Sequence, residues 1–312
     1  MPEYRLEPTK QEIVVVAAKR AKRPTVFGKG VSACPFCPGS EHITPPTTFS
    51  LPSKGKWGVR SFRNGFPILD ASAKYSPPKN WFEWKSPGFG EHEVIVETSE
   101  HGKLFQNFDK KQLSLVFQAY KNRFVELSKR KDVACVFLFK NHGKAGGASI
   151  EHEHAQVTAL PFVPPLIARE VAFASLYEVE HQKCFYCELK KNEGGVLFEN
   201  AHFIALRPSF ARFPYEFWLI PKRHVENIAQ LNSQEATALM SALSQAISKV
   251  SNVSQDYNLI FHNSPLGGGL HFHCEIIPRT NVWAGFELGT GVVVDSRSQE
   301  QALEELSGKA KK

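Results

Sequence analysis

The sequence predicts an α+β protein built as two copies of one strand-and-helix unit. Three observations predict it. Two cysteine pairs, Cys34-Pro-Phe-Cys37 and Cys184-Phe-Tyr-Cys187, each open a stretch with the same order of features: strand, histidine, helix, strand, His-x-His. The intervals from His101 to His152 and from His224 to His271 are of similar length. Apolar residues recur at helical steps in one segment of each copy and gather in short β-branched and aromatic runs in the others. Duplication explains so many matched features better than chance does.

The elements follow in order. After Cys37 comes a strand, His92 to Glu97, and then His101. A helix is expected over roughly Asp109 to Arg130. Leu113, Val116, Phe117, Tyr120, Phe124 and Leu127 recur at three- and four-residue steps there and make one apolar face. A strand, Val133 to Lys140, leads to His152-Glu-His154. The second copy has a strand Glu216 to Ile220, His224, and a helix over roughly Ser233 to Val250. That helix is marked by Leu239, Leu243, Ala246 and Val250. A strand Tyr257 to His262 and the triplet His271-Phe-His273 complete it. Asp109 and Ser233 are the expected N-caps. Gln112 and Ala236 are then the N3 residues, so only the first helix should carry a capping box. The first copy is longer between cysteines and histidine, and Pro52 to Pro87 reads as an insertion. The expected division is 1–165, a catalytic domain with one metal site, 166–295, a second domain with another, and a charged tail at 296–312. That tail should be helical around Gln299 to Leu306.

Composition bounds the function. The chain has 312 residues, 42% hydrophobic and 22% charged, which suits a globular protein and excludes collagen, coiled coil and disorder. No apolar run approaches the roughly 18 residues of a membrane helix. Met1-Pro2-Glu3 lacks a signal-peptide layout, so a cytoplasmic protein is expected. The net charge of +7 suits an anionic partner. Its basic residues are scattered, apart from Lys19, Arg20, Lys22 and Arg23 and a tail at Lys309, Lys311 and Lys312. No RNA-binding aromatic motif is present, so no nucleic-acid partner is expected.

A C-x-x-C in a reducing compartment means metal or redox chemistry more often than a disulfide. Cys34 lies in a Gly- and Pro-rich stretch, Gly28 to Pro46, which reads as a metal knuckle. Zinc needs four ligands in a structural site, and the histidines supply the rest. The expected sets are Cys34, Cys37, His101, His152 and Cys184, Cys187, His224, His271, or two Zn2+ per chain. Both shells are closed, so neither metal has an open catalytic position. Cys135 and Cys274, in apolar runs, read as core residues.

On a strand, residues two apart share a face, which places His152, His154 and Gln156 together and Glu153 opposite. His154 is left beside a closed metal site, free to act as a nucleophile on phosphorus. About three quarters of an ordinary histidine is neutral at pH 7, so it needs little activation. Gln156 can donate to a phosphate oxygen. Upstream, Gly143-Lys-Ala-Gly146-Gly147-Ala-Ser149 is a loop whose glycines let backbone N–H groups approach an anion. His271, His273 and Glu275 share a face in the second copy, but Glu275 would repel phosphate. His273 is therefore expected to be structural or sugar-phosphate-binding.

Taken together, these motifs resemble the galactose-1-phosphate uridylyltransferase family of the histidine-triad superfamily, close to its sugar-nucleotide phosphorylase relatives. The likeness runs over roughly residues 5 to 290. Lys19-Arg-Ala-Lys-Arg-Pro24 resembles the family's basic motif, which implies that Arg20 and Arg23 meet nucleotide or phosphate. Phe62-Arg-Asn64-Gly-Phe66-Pro67 resembles the segment lining the base and ribose. Asn141, Gly147, Ser149, His152, His154 and Gln156 fall on the phosphate-binding and nucleophile segment. The resemblance implies duplicated histidine-triad-like units with antiparallel sheets and packed helices, and a homodimer. It also implies a ping-pong reaction: His154 takes the uridylyl group from UDP-glucose, then passes it to galactose 1-phosphate, with Ser149 and Gln156 stabilising phosphoryl charge. The partners would be a UDP-sugar and a hexose 1-phosphate. The sequence departs from the family pattern at Glu153, where proline is usual, at Gly65, where aspartate is expected, and at Cys184 and Cys187, where some members hold iron with a glutamate. An ADP-sugar phosphorylase or adenylyltransferase is the alternative enzyme. A non-catalytic zinc protein that binds nucleic acid would leave Asn141 to Gln156 unexplained.

Overall fold

The computed structural model describes residues 1–25, 34–80, 82–192 and 195–309. Gly28, Lys311 and Lys312 lie outside the described residues. The chain opens with a hairpin, β1 (Glu3–Glu7) and β2 (Glu12–Val16). The first copy then runs β3 (Thr47–Leu51), β4 (Val59–Arg63), β5 (Lys85–Pro87), β6 (Glu91–Val96), α1 (Lys110–Ser128), β7 (Cys135–His142) and β8 (His154–Leu160). A linking helix, α2 (Pro165–His181), leads into α3 (Phe185–Asn192). The second copy continues with β9 (Val196–Glu199), β10 (Phe203–Leu206), β11 (Phe217–Pro221), α4 (Ser233–Val250), β12 (Tyr257–His262) and β13 (His273–Pro278). Helices α5 (Gly285–Thr290) and α6 (Gln299–Leu306) follow.

The two copies share one ten-stranded sheet, ordered β3-β4-β6-β8-β7-β12-β13-β11-β10-β9. Every pairing in it is antiparallel, and the copies meet where β7 pairs with β12. The order reads as one five-strand pattern and its mirror. This is the mixed fold of antiparallel sheet and packed helices that the sequence predicts. Alternation of side chains separates the two faces. Ile95, Leu138, Ala155 and Val157 enter the main core with the apolar faces of α1 and α4. Val94, Val96 and Phe62 point the other way, into a smaller cluster with Cys34 and Phe36. Burying each large side chain of the main core is worth about 1.5–3 kcal/mol, which makes α1 and α4 the main anchors of the sheet.

Three expectations are corrected. The segment Pro52 to Pro87 is not all insertion: it contains β4, whose counterpart is β10. Both pair with the strand that leads to the histidine, β4 with β6 and β10 with β11. The extra length is 64–90, against 207–216 in the second copy. Its β5 pairs with β1 in a separate three-stranded sheet. The capping box belongs to the second helix. Asn232, not Ser233, is its N-cap, and the Glu235 side chain returns to the Asn232 N–H. At α1, Asp109 accepts from Gln112 N–H, but the Gln112 side chain donates to Gly58 and Glu97 carbonyls instead. Finally, β8 starts at His154 and β13 at His273, so His152 and His271 precede their strands.

Helix α6 spans the residues expected of it. Ser298 caps it, and Ala302 and Leu306 are fully buried in the main core.

Candidate active site and metal centres

Cys34 and Cys37 sit in a short turn, whereas Cys184 precedes α3 and Cys187 lies in its first turn; the histidines come from the strand ends across from each pair. Cys34 Sγ and Cys37 Sγ both lie 3.6 Å from His152 Nδ1, and Cys37 Sγ lies 3.5 Å from His101 Nδ1. In the second set Cys184 and Cys187 lie 3.4 and 3.5 Å from His271 Nδ1, and Cys187 lies 3.8 Å from His224 Nδ1. A tetrahedral zinc with ordinary Zn–S and Zn–N bonds separates its ligands by about 3.6 Å. Both sets match that edge length, and all four donor atoms of each lie within 4.8 Å of one another. Two sulfurs and two imidazoles are also the donor chemistry zinc takes in structural sites. His152 Nε2 donates to the Thr98 carbonyl at 2.8 Å, which turns Nδ1 toward the thiolates.

Next to the first set, His154 and Gln156 share one face of β8. His154 Nδ1 lies 2.7 Å from the His152 carbonyl. A carbonyl only accepts, so Nδ1 carries the proton and Nε2 keeps its lone pair. Burial pushes His154 down to about 4, so the ring is neutral near pH 7. It borders a cleft of about 740 Å³, open solvent included. Arg20, Arg23, Phe62, Asn64 and Phe66 line the cleft, and so do Gly147, Ser149 and Gln156. Arg20 Nη1 donates to the Phe66 carbonyl at 3.0 Å and so ties the basic segment to the cleft wall.

The loop glycines have separate reasons. Gly147 has φ +82°, a conformation L-residues rarely adopt. A Cβ at Gly146 would stand 2.1 Å from the His142 carbonyl oxygen, so the loop could not pack there with a side chain.

Two residues expected at the site are elsewhere. Asn141 does not line the cleft. Its Oδ1 accepts from Asn258 Nδ2, which also donates to the Gly146 carbonyl, so Asn141 braces the glycine loop from behind. His273 is 1% exposed and stacks on His262 and Tyr186, with ring centroids 4.4 and 4.6 Å apart. Helix α2 brings Glu170 over this spot, 2.9 Å from His262 Nδ1. Burial opposes a charge on His262, but Glu275 and Glu170 outweigh it and raise its pKa to about 10. Glu170, His262 and His273 also lie within 4.8 Å of one another. Sequence reasoning missed His92 and the cleft-lining Phe36 and Val94, although His92 and Val94 stand two apart on β6 and therefore share a face.

Glu153 points to the opposite side of the sheet. It forms a fully buried ionic cluster with Lys140 and Glu97, which Tyr120 joins through its hydroxyl. Phe105 N–H donates to Glu153 at 3.2 Å, and His142 Nδ1 lies 3.2 Å from the same oxygen. Burial works against the Glu153 charge, yet Lys140 and His142 hold its pKa at about 2. The carboxylate in the His-x-His triplet is thus neutralised and kept off the cleft.

Comparison with known proteins shows the family. The family description "Galactose-1-phosphate uridyl transferase" matches with its N-terminal domain over residues 1–164 and its C-terminal domain over residues 146–306. An ADP-glucose phosphorylase of Arabidopsis thaliana is 31% identical, covering 94% of this chain and 89% of the relative. A galactose-1-phosphate uridylyltransferase of Thermotoga maritima is also 31% identical, covering 98% of both. The crystal structure of an ADP-glucose phosphorylase from Arabidopsis thaliana with bound ADP-glucose superposes with TM-score 0.80 at 30% identity, covering 98% of this chain and 99% of that one. With both domain descriptions matched across nearly its whole length, the chain belongs to the galactose-1-phosphate uridyl transferase family.

Proposed function

We propose that the protein is a nucleotidyltransferase that moves a nucleoside monophosphate from a nucleoside-diphosphate sugar through a covalent His154 intermediate. The observation that carries this is His154 at the cleft wall with its Nδ1–H held by the His152 carbonyl, which leaves Nε2 with its lone pair. In the first step His154 Nε2 attacks the α-phosphorus. The Nε2–P bond forms, the bond from phosphorus to the bridging oxygen breaks, and hexose 1-phosphate leaves with the electron pair. Nδ1–H stays in place, so the imidazole becomes cationic while its proton remains hydrogen-bonded to the His152 carbonyl. In the second step an acceptor phosphate oxygen attacks phosphorus and His154 is released neutral. Arg20, Arg23 and Gln156 donate to phosphate oxygens, and Ser149 stabilises the charge that develops; the Gly147 and Ala148 N–H groups instead donate to the Lys144 and Gly143 carbonyls and hold the loop in shape. Phe36, Phe62 and Phe66 offer apolar surface to the base. The two Cys2His2 sets would hold zinc, which ties turn to strand and contributes folding energy outside the reaction.

For the pair of substrates, our reading is UMP exchange between UDP-glucose and galactose 1-phosphate. A second reading, phosphorolysis of an ADP-sugar, is supported by the equal identity to the Arabidopsis ADP-glucose phosphorylase. Both pass through the same intermediate. Incubation with UDP-glucose or ADP-glucose, followed by intact mass, should show a UMP or AMP adduct that His154→Asn lacks. An adduct that persists in that variant sinks the role of His154. Turnover of ADP-glucose with orthophosphate alone selects the second reading.

We also propose a cytoplasmic homodimer. Among the described residues no helix is long and apolar enough to cross a membrane. Helix α2 exposes Leu166, Phe173, Leu176 and Val179, an apolar face suited to a second copy. Sedimentation of Leu176→Glu as a monomer would support that contact, and an unchanged mass would oppose it.

A further inference from the structure

Gln156 must present its amide N–H groups to a phosphate oxygen if it is to stabilise charge. An amide can turn over by half a rotation and present its oxygen instead, which would repel the phosphate. The orientation is therefore decided by whatever holds the other end.

Two neighbours hold it. His92 Nε2 lies 2.9 Å from Gln156 Oε1, and Asn64 Nδ2 lies 3.4 Å from the same oxygen and 3.3 Å from His92 Nε2. Each neighbour is itself oriented by a backbone donor. Ile68 N–H points at His92 Nδ1 at 3.2 Å. A backbone N–H can only donate, so Nδ1 is the unprotonated nitrogen and Nε2 carries the hydrogen. Phe66 N–H donates to Asn64 Oδ1 at 2.8 Å, which turns the Asn64 amide nitrogen toward Gln156. Burial pushes His92 down to about 4, so the neutral tautomer persists at ordinary pH.

The second copy lacks this arrangement. When the two His-x-His triplets are superposed by register, His92 corresponds to Glu216 and Gln156 to Glu275. Glu216 accepts from Arg212 and Phe213 N–H and from Trp218 Nε1, and Glu275 pairs with Arg212. The sheet therefore folds without a histidine at this register. The histidine occurs in the copy that has the cleft, against the segment 64–90, which is much longer than its counterpart 207–216.

We propose that His92 is a positioning residue. Together with Asn64, and under the control of the Phe66 and Ile68 N–H groups, it holds the Gln156 amide oxygen and turns the Gln156 amide nitrogen into the cleft. This rests on the reading of His154 as the nucleophile. His92 acts through Gln156 and does not touch the reacting atoms.

A double-mutant cycle tests it. The rate of nucleotidyl-His154 formation is measured by rapid quench with UDP-glucose and with ADP-glucose for wild type, His92→Phe, Gln156→Ala and the double variant. His92→Phe should slow the step about 10- to 100-fold with KM changed less than about threefold, because the lost interaction belongs to the transition state. In the Gln156→Ala background His92→Phe should have no further effect. His92→Gln, which can still offer an N–H to Gln156, should recover part of the rate. Equal losses from His92→Phe in both backgrounds, or a rate within twofold of wild type, overturn the proposal. If His92→Phe does not fold, the cycle is run with His92→Gln. Nitrogen-15 chemical shifts of His92 in the resting wild-type protein give a readout that needs no turnover: an Nδ1–H tautomer overturns the proposal. Absence of any wild-type adduct, with the Nε2–H tautomer present, would instead reject the nucleophile reading.

Discussion

Replacing Lys140 by methionine should be among the most damaging single substitutions in the protein. Lys140 is 1% exposed and holds the carboxylates of Glu97 and Glu153, which are 0% and 3% exposed. Methionine fills most of the volume but takes away the ammonium that lies between two buried carboxylates, leaving only His142 beside Glu153. Breaking a buried ion pair by removing one partner costs about 3–5 kcal/mol. A chain of 312 residues shifts its melting temperature by about 1.5 °C per kcal/mol, so the expected drop is about 4–8 °C. The triple variant Glu97→Gln, Lys140→Met, Glu153→Gln should recover most of the loss. It removes all three charges yet keeps an amide oxygen for Tyr120 O–H and another for Phe105 N–H. Proline, the second-copy residue equivalent to Glu97, cannot be used at position 97, because Glu97 N–H donates to the Glu153 carbonyl at 3.0 Å. The assay is thermal melting by circular dichroism with zinc supplied. A single variant within about 1 kcal/mol of wild type, or a triple variant as unstable as the single, would falsify the picture of a compensated ionic cluster.

Other outcomes follow from the same structure. Elemental analysis should find about two zinc ions per chain, with Cys34→Ser and Cys184→Ser each losing one, and chelation should lower the melting temperature. Asn232→Ala should cost about 1 kcal/mol by removing the capping box of α4, whereas Ser233→Ala should cost little, since Ser233 is not the cap. The His262 pKa is raised to about 10 from an ordinary 6.5, so its stabilising contribution is whole below pH 6.5 and is lost as pH rises through 10. The melting temperatures of wild type and His262→Gln should therefore converge between pH 7 and 10. A constant gap would show that His262 is not the charged link between Glu170 and Glu275.

Legibility in the sequence followed the range of the forces involved. The metal sets, His154 and the two long helices were readable because cysteine spacing, His-x-His triplets and helical periodicity are local signals. β4 escaped because Val59–Arg63 lies in a stretch rich in Pro, Gly and Lys, and only pairing with β6 makes it a strand. The α4 cap was displaced by one residue because Asn232 and Ser233 are both good caps, and Glu235 decides between them. His273 looked like part of a binding site because its triplet matches that of His154. What removes it is Glu170, which lies over a hundred residues upstream and is carried there by a helix that the repeat does not contain. Asn141 was placed near the right loop but on the wrong side of it, since its partner Asn258 belongs to the neighbouring copy's strand.

The duplication also works as an internal control on what the chemistry needs. Both copies keep the same strand order, the same Cys2His2 set and the same hydrogen bond from the second histidine of the triplet back to the carbonyl of the first, 2.7 Å at His154 and 3.0 Å at His273. On the proposal that His154 alone is the nucleophile, none of those features is sufficient for catalysis. The copies differ in what surrounds that histidine. By register, Lys140 and Glu153 stand where the second copy has Phe261 and Phe272, and Arg60 stands where it has Ile204. In the second copy, Glu275 occupies the Gln156 position, and a charged His262 stacks on His273. A cation against one face of the ring and a carboxylate in place of the amide donor both work against an attack on phosphate. Burial with the His262 cation alongside also pushes His273 down to about 3. Reversing the asymmetry by Glu275→Gln alone should therefore create no second nucleophile, because His262 and α2 still close over His273. Intact mass of that variant after incubation with UDP-glucose or ADP-glucose should show a single adduct per chain, and a second adduct would mean that the covering elements, unlike the residue at the Gln156 position, are not what silences this copy.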